Sequence, residues 1–217
     1  RRLSGTKHGT RPPTCRTSAA GRSSNTWELR VPSMISVEPV GIDGLSVATH
    51  LPIGDDRGEL ERLFCASDMA DVVGDRTILQ INRTRTQAVG AVRGMHFQLP
   101  PHAEMKLVAC TRGRVFDVAV DLRANSKTFL QYHAVELSPD SHKTFVIPEG
   151  FAHGFQVLEP DSELLYLHTA MYTPNAERAV SATDPAIGIE WPLPISQMSE
   201  RDRSHDPVDQ TFQGVVL

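Results

Sequence analysis

Three segments of the chain carry side chains able to move protons or hold an ion. Residues 90–101 read GAVRGMHFQLPP and place Arg93, His96 and Gln98 on one extended stretch. Residues 147–155 read IPEGFAHGF, with His153 following a Pro-x-Gly turn. Residues 164–172 read LLYLHTAMY, and the two-residue spacing puts Tyr166 and His168 on one face of a strand. Histidine titrates near neutrality and also ligates metals, so these segments admit either acid–base catalysis or a metal centre. An isolated strand histidine is more often a hydrogen-bonded structural residue than a catalyst. His8, His50, His133, His142 and His205 have nothing nearby that lifts them above that reading. Alternation separates Arg93 and His96 onto opposite faces unless the strand bulges, and Gly94 between them permits a bulge.

The elements that must position these residues are short strands. From Met34 onward, runs rich in Val, Ile, Leu and Phe alternate with Gly, Pro, Asp and Asn clusters. Strands are predicted at 106–110, 115–122 (VFDVAVDL, alternating), 132–137, 144–147 and 164–169. Turn signals stand between them at Thr111-Arg112-Gly113, Ala124-Asn125-Ser126, Ser138-Pro139-Asp140 and Glu159-Pro160-Asp161. Helical periodicity is confined to a stretch around residues 59–69. The pattern predicts an all-β protein, a jelly-roll barrel or sandwich with few short helices, over residues 34–217.

Charge divides the chain at the same point. Residues 1–33 hold seven basic residues against the single acid Glu28, leaving 15 basic and 25 acidic residues in the rest, a net charge of −10. This leader is rich in Ser, Thr, Gly and Pro, and we expect it to be disordered. Its composition fits a transit peptide or an extension upstream of Met34, and it lacks the apolar core of a secretory signal. The acidic body argues against nucleic acid as a partner. No apolar run reaches the roughly 20 residues of a membrane-spanning helix. Three scattered cysteines (Cys15, Cys65, Cys110) fit free thiols and a cytoplasmic location.

A metal centre is the weaker reading. Pro148-x-Gly150-x-x-His153 resembles the second metal motif of the cupin superfamily, but the first motif needs a His-x-His pair and here His96 is followed by Phe97 and Gln98. His102 and Glu104 follow a Pro-Pro turn and are poor substitutes. One or two imidazoles make an incomplete shell, so no metal and no cofactor are expected.

Several ordered blocks then carry a specific resemblance. They are Asp56-Arg57-Gly58, Gln80-Ile81-Asn82, VRGMHFQLPP (92–101), VFDVAVDLR (115–123), IPEGFAHGF (147–155), Tyr166, Tyr172, TDPAIGIEWP (183–192) and Ser199-Glu200-Arg201-Asp202. In this order, over residues 35–202, they resemble the dTDP-4-dehydrorhamnose 3,5-epimerase family. The resemblance implies a cupin-like jelly roll, a homodimer exchanging a strand between subunits, and epimerisation of a nucleotide-linked 4-keto-6-deoxyhexose. It further implies His96 as the base, Asp202 as its orienting acid, Lys106 as the cation beside the developing enolate, and Tyr166 as the proton donor. Such roles fit the reaction, which needs a near-neutral base, a stabilised oxyanion and an acid on the opposite face. His153 and Arg93 match positions that hold substrate, and Arg57 matches a phosphate contact. Gln80 and Asn82 match amide contacts to the nucleotide, Tyr172 a stacking partner for the base, and Glu177 a further substrate contact.

Two positions depart from the family pattern. Leu60 stands where an aromatic residue is usual and Arg62 where an acid is usual. Both bear on the nucleobase, so the resemblance leaves open the nucleotide, and whether C3, C5 or both are inverted. Two other classes stay in view: a metal-dependent cupin enzyme, distinguished by chelator sensitivity, and a non-catalytic sugar-binding cupin, distinguished by the lack of proton exchange with solvent.

Overall fold

A computed structural model describes residues 33–209 and 211–217. The leader expected over 1–33, apart from Ser33, lies outside the described residues, as does Cys15. In chain order the strands are β1 (Ile35–Pro39), β2 (Ser46–His50), β3 (Ile53–Asp55), β4 (Gly58–Leu60), β5 (Gln80–Thr86), β6 (Val92–Gln98), β7 (Lys106–Arg112), β8 (Val115–Asp121), β9 (Tyr132–Leu137), β10 (Lys143–Ile147), β11 (Phe151–Val157), β12 (Ser162–His168) and β13 (Glu177–Ala179). Two single-turn helices, α1 (Ala70–Val73) and α2 (Glu200–Arg203), and a 3-10 turn at Pro139–Ser141 complete the described elements. The helical periodicity around 59–69 is not realised as such. Glu59 and Leu60 lie in β4, and α1 begins only at Ala70, after the turn residues Ala66–Met69.

The strands form a six-stranded sheet ordered β1-β2-β10-β7-β12-β5 and a five-stranded sheet ordered β13-β6-β11-β8-β9, all neighbours antiparallel. They pack as the expected sandwich. Between them lies an apolar cluster drawn from both, including Val108, Phe145 and Leu164 from one sheet and Ala119, Phe151 and Phe155 from the other. The outer faces are covered as well. Met69 and Val73 cover the six-stranded sheet, and Ile187, Trp191, Phe212 and Val215 cover the five-stranded one. Burial on both faces explains why β11 reads as a continuous buried run rather than as an alternation.

One irregularity sets the site. In the pairing of β11 with β6, His153 opposes His96 and Phe155 opposes Arg93, so β6 spends one residue more than β11 over the same span. This is the bulge that Gly94 was expected to permit. Gly94 has a φ of 130°, and a Cβ there would come within 2.9 Å of the His153 carbonyl oxygen. Gly154 faces it, where a Cβ would meet Met95 Sδ at 2.6 Å and the Arg93 carbonyl oxygen at 2.7 Å. Two glycines are needed for the strands to approach this closely, and the extra residue turns Arg93 and His96 toward the same pocket.

Candidate active site

A pocket of about 210 Å³ opens at one end of the sandwich. β6 contributes Arg93 and His96, β11 His153, β7 Lys106, β12 Tyr166 and His168, and β5 Gln80, Asn82 and Thr84, while Glu104, Tyr172 and Glu177 close its rim. Nine of the eleven residues expected from sequence therefore line one cavity. Asp202 stands directly behind it, its Oδ1 2.8 Å from His96 Nε2.

Arg57 is the exception. It sits at the tip of the β3–β4 hairpin, exposed, with its guanidinium held by Asp55 through a 2.5 Å contact. It lies on a two-stranded hairpin that pairs with neither large sheet, and it does not line the pocket of its own chain. Leu60 on β4 is exposed, and the Arg62 guanidinium lies 4.0 Å from Asp68.

Three histidine–carboxylate pairs surround the pocket. Asp202, on α2, is 4% exposed, and Ser199 caps that turn by accepting from the Asp202 N–H. Burial would raise the Asp202 pKa, but the His96 hydrogen bond and charge hold it below the ordinary carboxylate range. An ionised carboxylate accepts only, so the Asp202 contact favours the His96 tautomer with its proton on Nε2 and its lone pair on Nδ1. The Arg201 guanidinium lies 3.0 Å from the same Nε2 and is held by Glu177 at 3.1 and 3.2 Å. Glu177 also accepts from the Tyr172 hydroxyl at 2.9 Å. The second pair is His153 with Asp117, both oxygens 2.9 Å from Nε2. Asp117 is fully buried, and that burial pushes its pKa up against the opposing pull of His153.

Neither that pair nor the third was foreseen. Glu104 accepts from His168 Nδ1 at 2.9 Å and from Lys106 Nζ at 3.1 Å. Lys106 also donates to the His96 carbonyl oxygen at 3.1 Å. Tyr166 is buried and packs edge-on to His153 and parallel to His168, with ring centroids 5.8 and 5.9 Å away. Burial and the charge of Asp117 push its pKa up, so its phenol keeps its proton across the neutral range. Gln98, on the same strand as His96, serves structure: it donates to the His102 and Met171 carbonyls and accepts from Thr173 N–H, pinning the loop that carries Tyr172.

Glu104 and His168 in the pocket, and Arg201 and Asp117 behind its histidines, are the residues that sequence reasoning missed or set aside. The spacing of Tyr166 and His168 was a usable signal for His168. For Glu104 the two-residue spacing to Lys106 was a weak signal, and its pairing with His168, 64 residues away, left none. His205 joins His96 and Asp202 in a group whose ligand atoms lie within 4.8 Å of one another, the arrangement here that could hold an ion among the described residues.

The site can be compared with known proteins at this point. The dTDP-4-dehydrorhamnose 3,5-epimerase family model matches residues 39–210. The chain belongs to the dTDP-4-dehydrorhamnose 3,5-epimerase family. A family member from Salmonella typhimurium is 40% identical over 181 residues, covering 82% of this chain and 98% of the relative. One from Sinorhizobium fredii is 42% identical over 152 residues, 70% of this chain and 78% of the relative. The crystal structure of a dTDP-6-deoxy-D-glucose-3,5-epimerase from Legionella pneumophila, in complex with dTDP-4-keto-L-rhamnose, superposes with a TM-score of 0.75. It is 36% identical and covers 80% of this chain and 92% of that one. The protein is thus an epimerase, an enzyme of the isomerase class with the cupin-like sandwich of its family. No helix among the described residues is long and apolar enough to cross a membrane.

Proposed function

We propose that this epimerase inverts ring carbons beside the ketone of a dTDP-linked 4-keto-6-deoxyhexose, with His96 as base and Tyr166 as acid. The observation that carries the reading is the placement of His96 and Tyr166 on strands of opposed sheets, both lining one pocket, with Lys106 on the strand beside that of Tyr166 and its ammonium 3.1 Å from the His96 carbonyl oxygen.

The Nδ1 lone pair of His96 takes the proton from the carbon next to the carbonyl, and Asp202 stabilises the imidazolium that results. The electron pair moves onto the carbonyl oxygen, where the Lys106 ammonium offsets the developing charge. Tyr166 then delivers its proton to the carbon from the other face, and solvent restores both groups. Burial keeps the Tyr166 phenol protonated and makes it a weaker acid, and the strongly basic enolate carbon still takes its proton. Arg93 and His153 hold the sugar and diphosphate, Gln80 and Asn82 the nucleotide, and Tyr172 stacks on the base with Glu177 beside it. The two carbons flanking one ketone are served by one base and one cation, so inversion at both C3 and C5 is our reading.

Arg57 acts on the pocket of a second copy. The β3–β4 hairpin exposes Ile53 and Leu60 and stands apart from both sheets. β5 is a free edge of the six-stranded sheet in this chain. A homodimer exchanging this arm would supply each pocket with its missing guanidinium. No metal or other cofactor enters the scheme, and the work is placed in the cytoplasm.

The test is incubation with the dTDP-4-keto-6-deoxyhexose in heavy water, followed by NMR, with the UDP-linked sugar in parallel. We expect deuterium at both C3 and C5 with inversion, and a preference for dTDP. Tight binding without exchange would instead favour a non-catalytic sugar-binding protein.

A further inference from the structure

We propose that Glu104 and His168 are positioning residues that aim the Lys106 ammonium at the substrate carbonyl; this rests on the reading of Lys106 as the enolate's cation. An ammonium has three N–H bonds on a flexible four-carbon stem, so its direction must be imposed by neighbours. Here Glu104 Oε1 accepts one at 3.1 Å and the His96 carbonyl oxygen accepts another at 3.1 Å. One N–H remains for a ligand, and Lys106 lines the pocket.

Glu104 is itself fixed at both ends. Its second oxygen accepts from His168 Nδ1 at 2.9 Å, and the Glu104 and His168 side chains are only 9% and 12% exposed. His168 in turn accepts from Asn82 Nδ2–H at 3.3 Å and lies parallel to the Tyr166 ring, 13° between their planes. Burial opposes the charge on Glu104, but the His168 hydrogen bond and the Lys106 charge outweigh it and keep the carboxylate ionised. A chain of contacts thus ties the cation that receives the enolate to the phenol that quenches it. Without Glu104 the ammonium keeps one tether, the His96 carbonyl, and gains freedom to swing away.

The experiment compares Glu104→Ala, Glu104→Gln, His168→Phe and Lys106→Met with the wild-type enzyme, using the dTDP-4-keto-6-deoxyhexose as probe. A cation that acts on the enolate affects the chemical step more than substrate binding. Glu104→Ala should lose about tenfold or more in kcat, with KM within about threefold, and deuterium wash-in at the reacting carbons should fall in step. Glu104→Gln keeps an oxygen for Lys106 and should stay within about threefold of wild type. His168→Phe keeps the stacking but frees the outer oxygen of Glu104, and should lose a few-fold in kcat alone. The inference is overturned if Glu104→Ala keeps the wild-type kcat, if its defect lies in KM alone, or if Glu104→Gln is as impaired as Glu104→Ala. Full activity in Lys106→Met would overturn the underlying reading of Lys106, whereas a dead Lys106→Met beside an active Glu104→Ala would remove only the role of Glu104.

Discussion

Replacing Asp202 by Asn tests the base most directly, because two groups compete for one nitrogen of His96. Asp202 Oδ1 lies 2.8 Å from Nε2 and Arg201 Nη2 lies 3.0 Å from it. The first wants a proton on Nε2 and the second wants a lone pair there. In the wild type the ionised carboxylate decides the contest, leaving the basic lone pair on Nδ1. Asparagine removes the charge, worth about 1.5–3 kcal/mol for a hydrogen bond to an ionised group. At about 1.4 kcal/mol per tenfold, that alone lowers the rate by roughly 10- to 100-fold. The Arg201 donor, now opposed only by a neutral amide, also favours the tautomer with its proton on Nδ1, which cannot accept from the substrate. A wrong tautomer of this kind has cost about 10⁴-fold in a Ser-His-Asp protease. We therefore expect kcat and the rate of deuterium wash-in to fall together by about 10² to 10⁴, with the affinity for dTDP changed no more than a few-fold. NMR in heavy water and a dTDP titration measure both. Exchange within about threefold of wild type would refute the assignment of His96 as the base supported by Asp202.

Tyr166→Phe should block inversion yet leave exchange partly intact, since the enolate still forms beside Lys106 and recaptures its proton from His96 with retention; the same pattern in Tyr172→Phe instead would reverse the roles of the two tyrosines. Acid should destabilise the fold through Asp121, which is fully buried and held by Arg123, Ser126 and Thr128. Burial alone would raise its pKa, but these bonds lower it from 3.8 to about 2. Its contribution, about 2 kcal/mol, is present above pH 4 and lost as pH falls through 2, so Asp121→Asn should flatten the acid limb of a thermal-melt series over that window. Chelator should leave the wild-type rate unchanged, and a metal retained in stoichiometric amount at His96, Asp202 and His205 would contradict the scheme. Deleting residues 1–33 should leave melting temperature and epimerase rate unaltered, since a segment without an apolar face adds little to a core.

The sequence alone determined the strand inventory and most of the pocket. β7 to β10 and β12 fall where runs of Val, Ile, Leu and Phe and the turn residues between them put them, because both signals are local: such a run marks a strand, and Gly or Pro marks where it must end. Gly94 announced its bulge for the same reason. The ordered blocks identified the family, and with it His96, Lys106, Tyr166 and Asp202 as candidates. Tertiary structure decided what those residues touch. His96 and Asp202 are 106 positions apart, and Glu104 and His168 are 64 apart, so no local period joins either pair. Their meeting depends on strand order and register, with β7 between β10 and β12 and with α2 laid against β6. Arg57 shows the converse. Its block was legible, but its hairpin pairs with neither sheet and leaves it outside the pocket of its own chain, which no local signal reports. Local periodicity encodes burial; partnership between side chains is settled by packing many elements at once, and only the folded chain displays it.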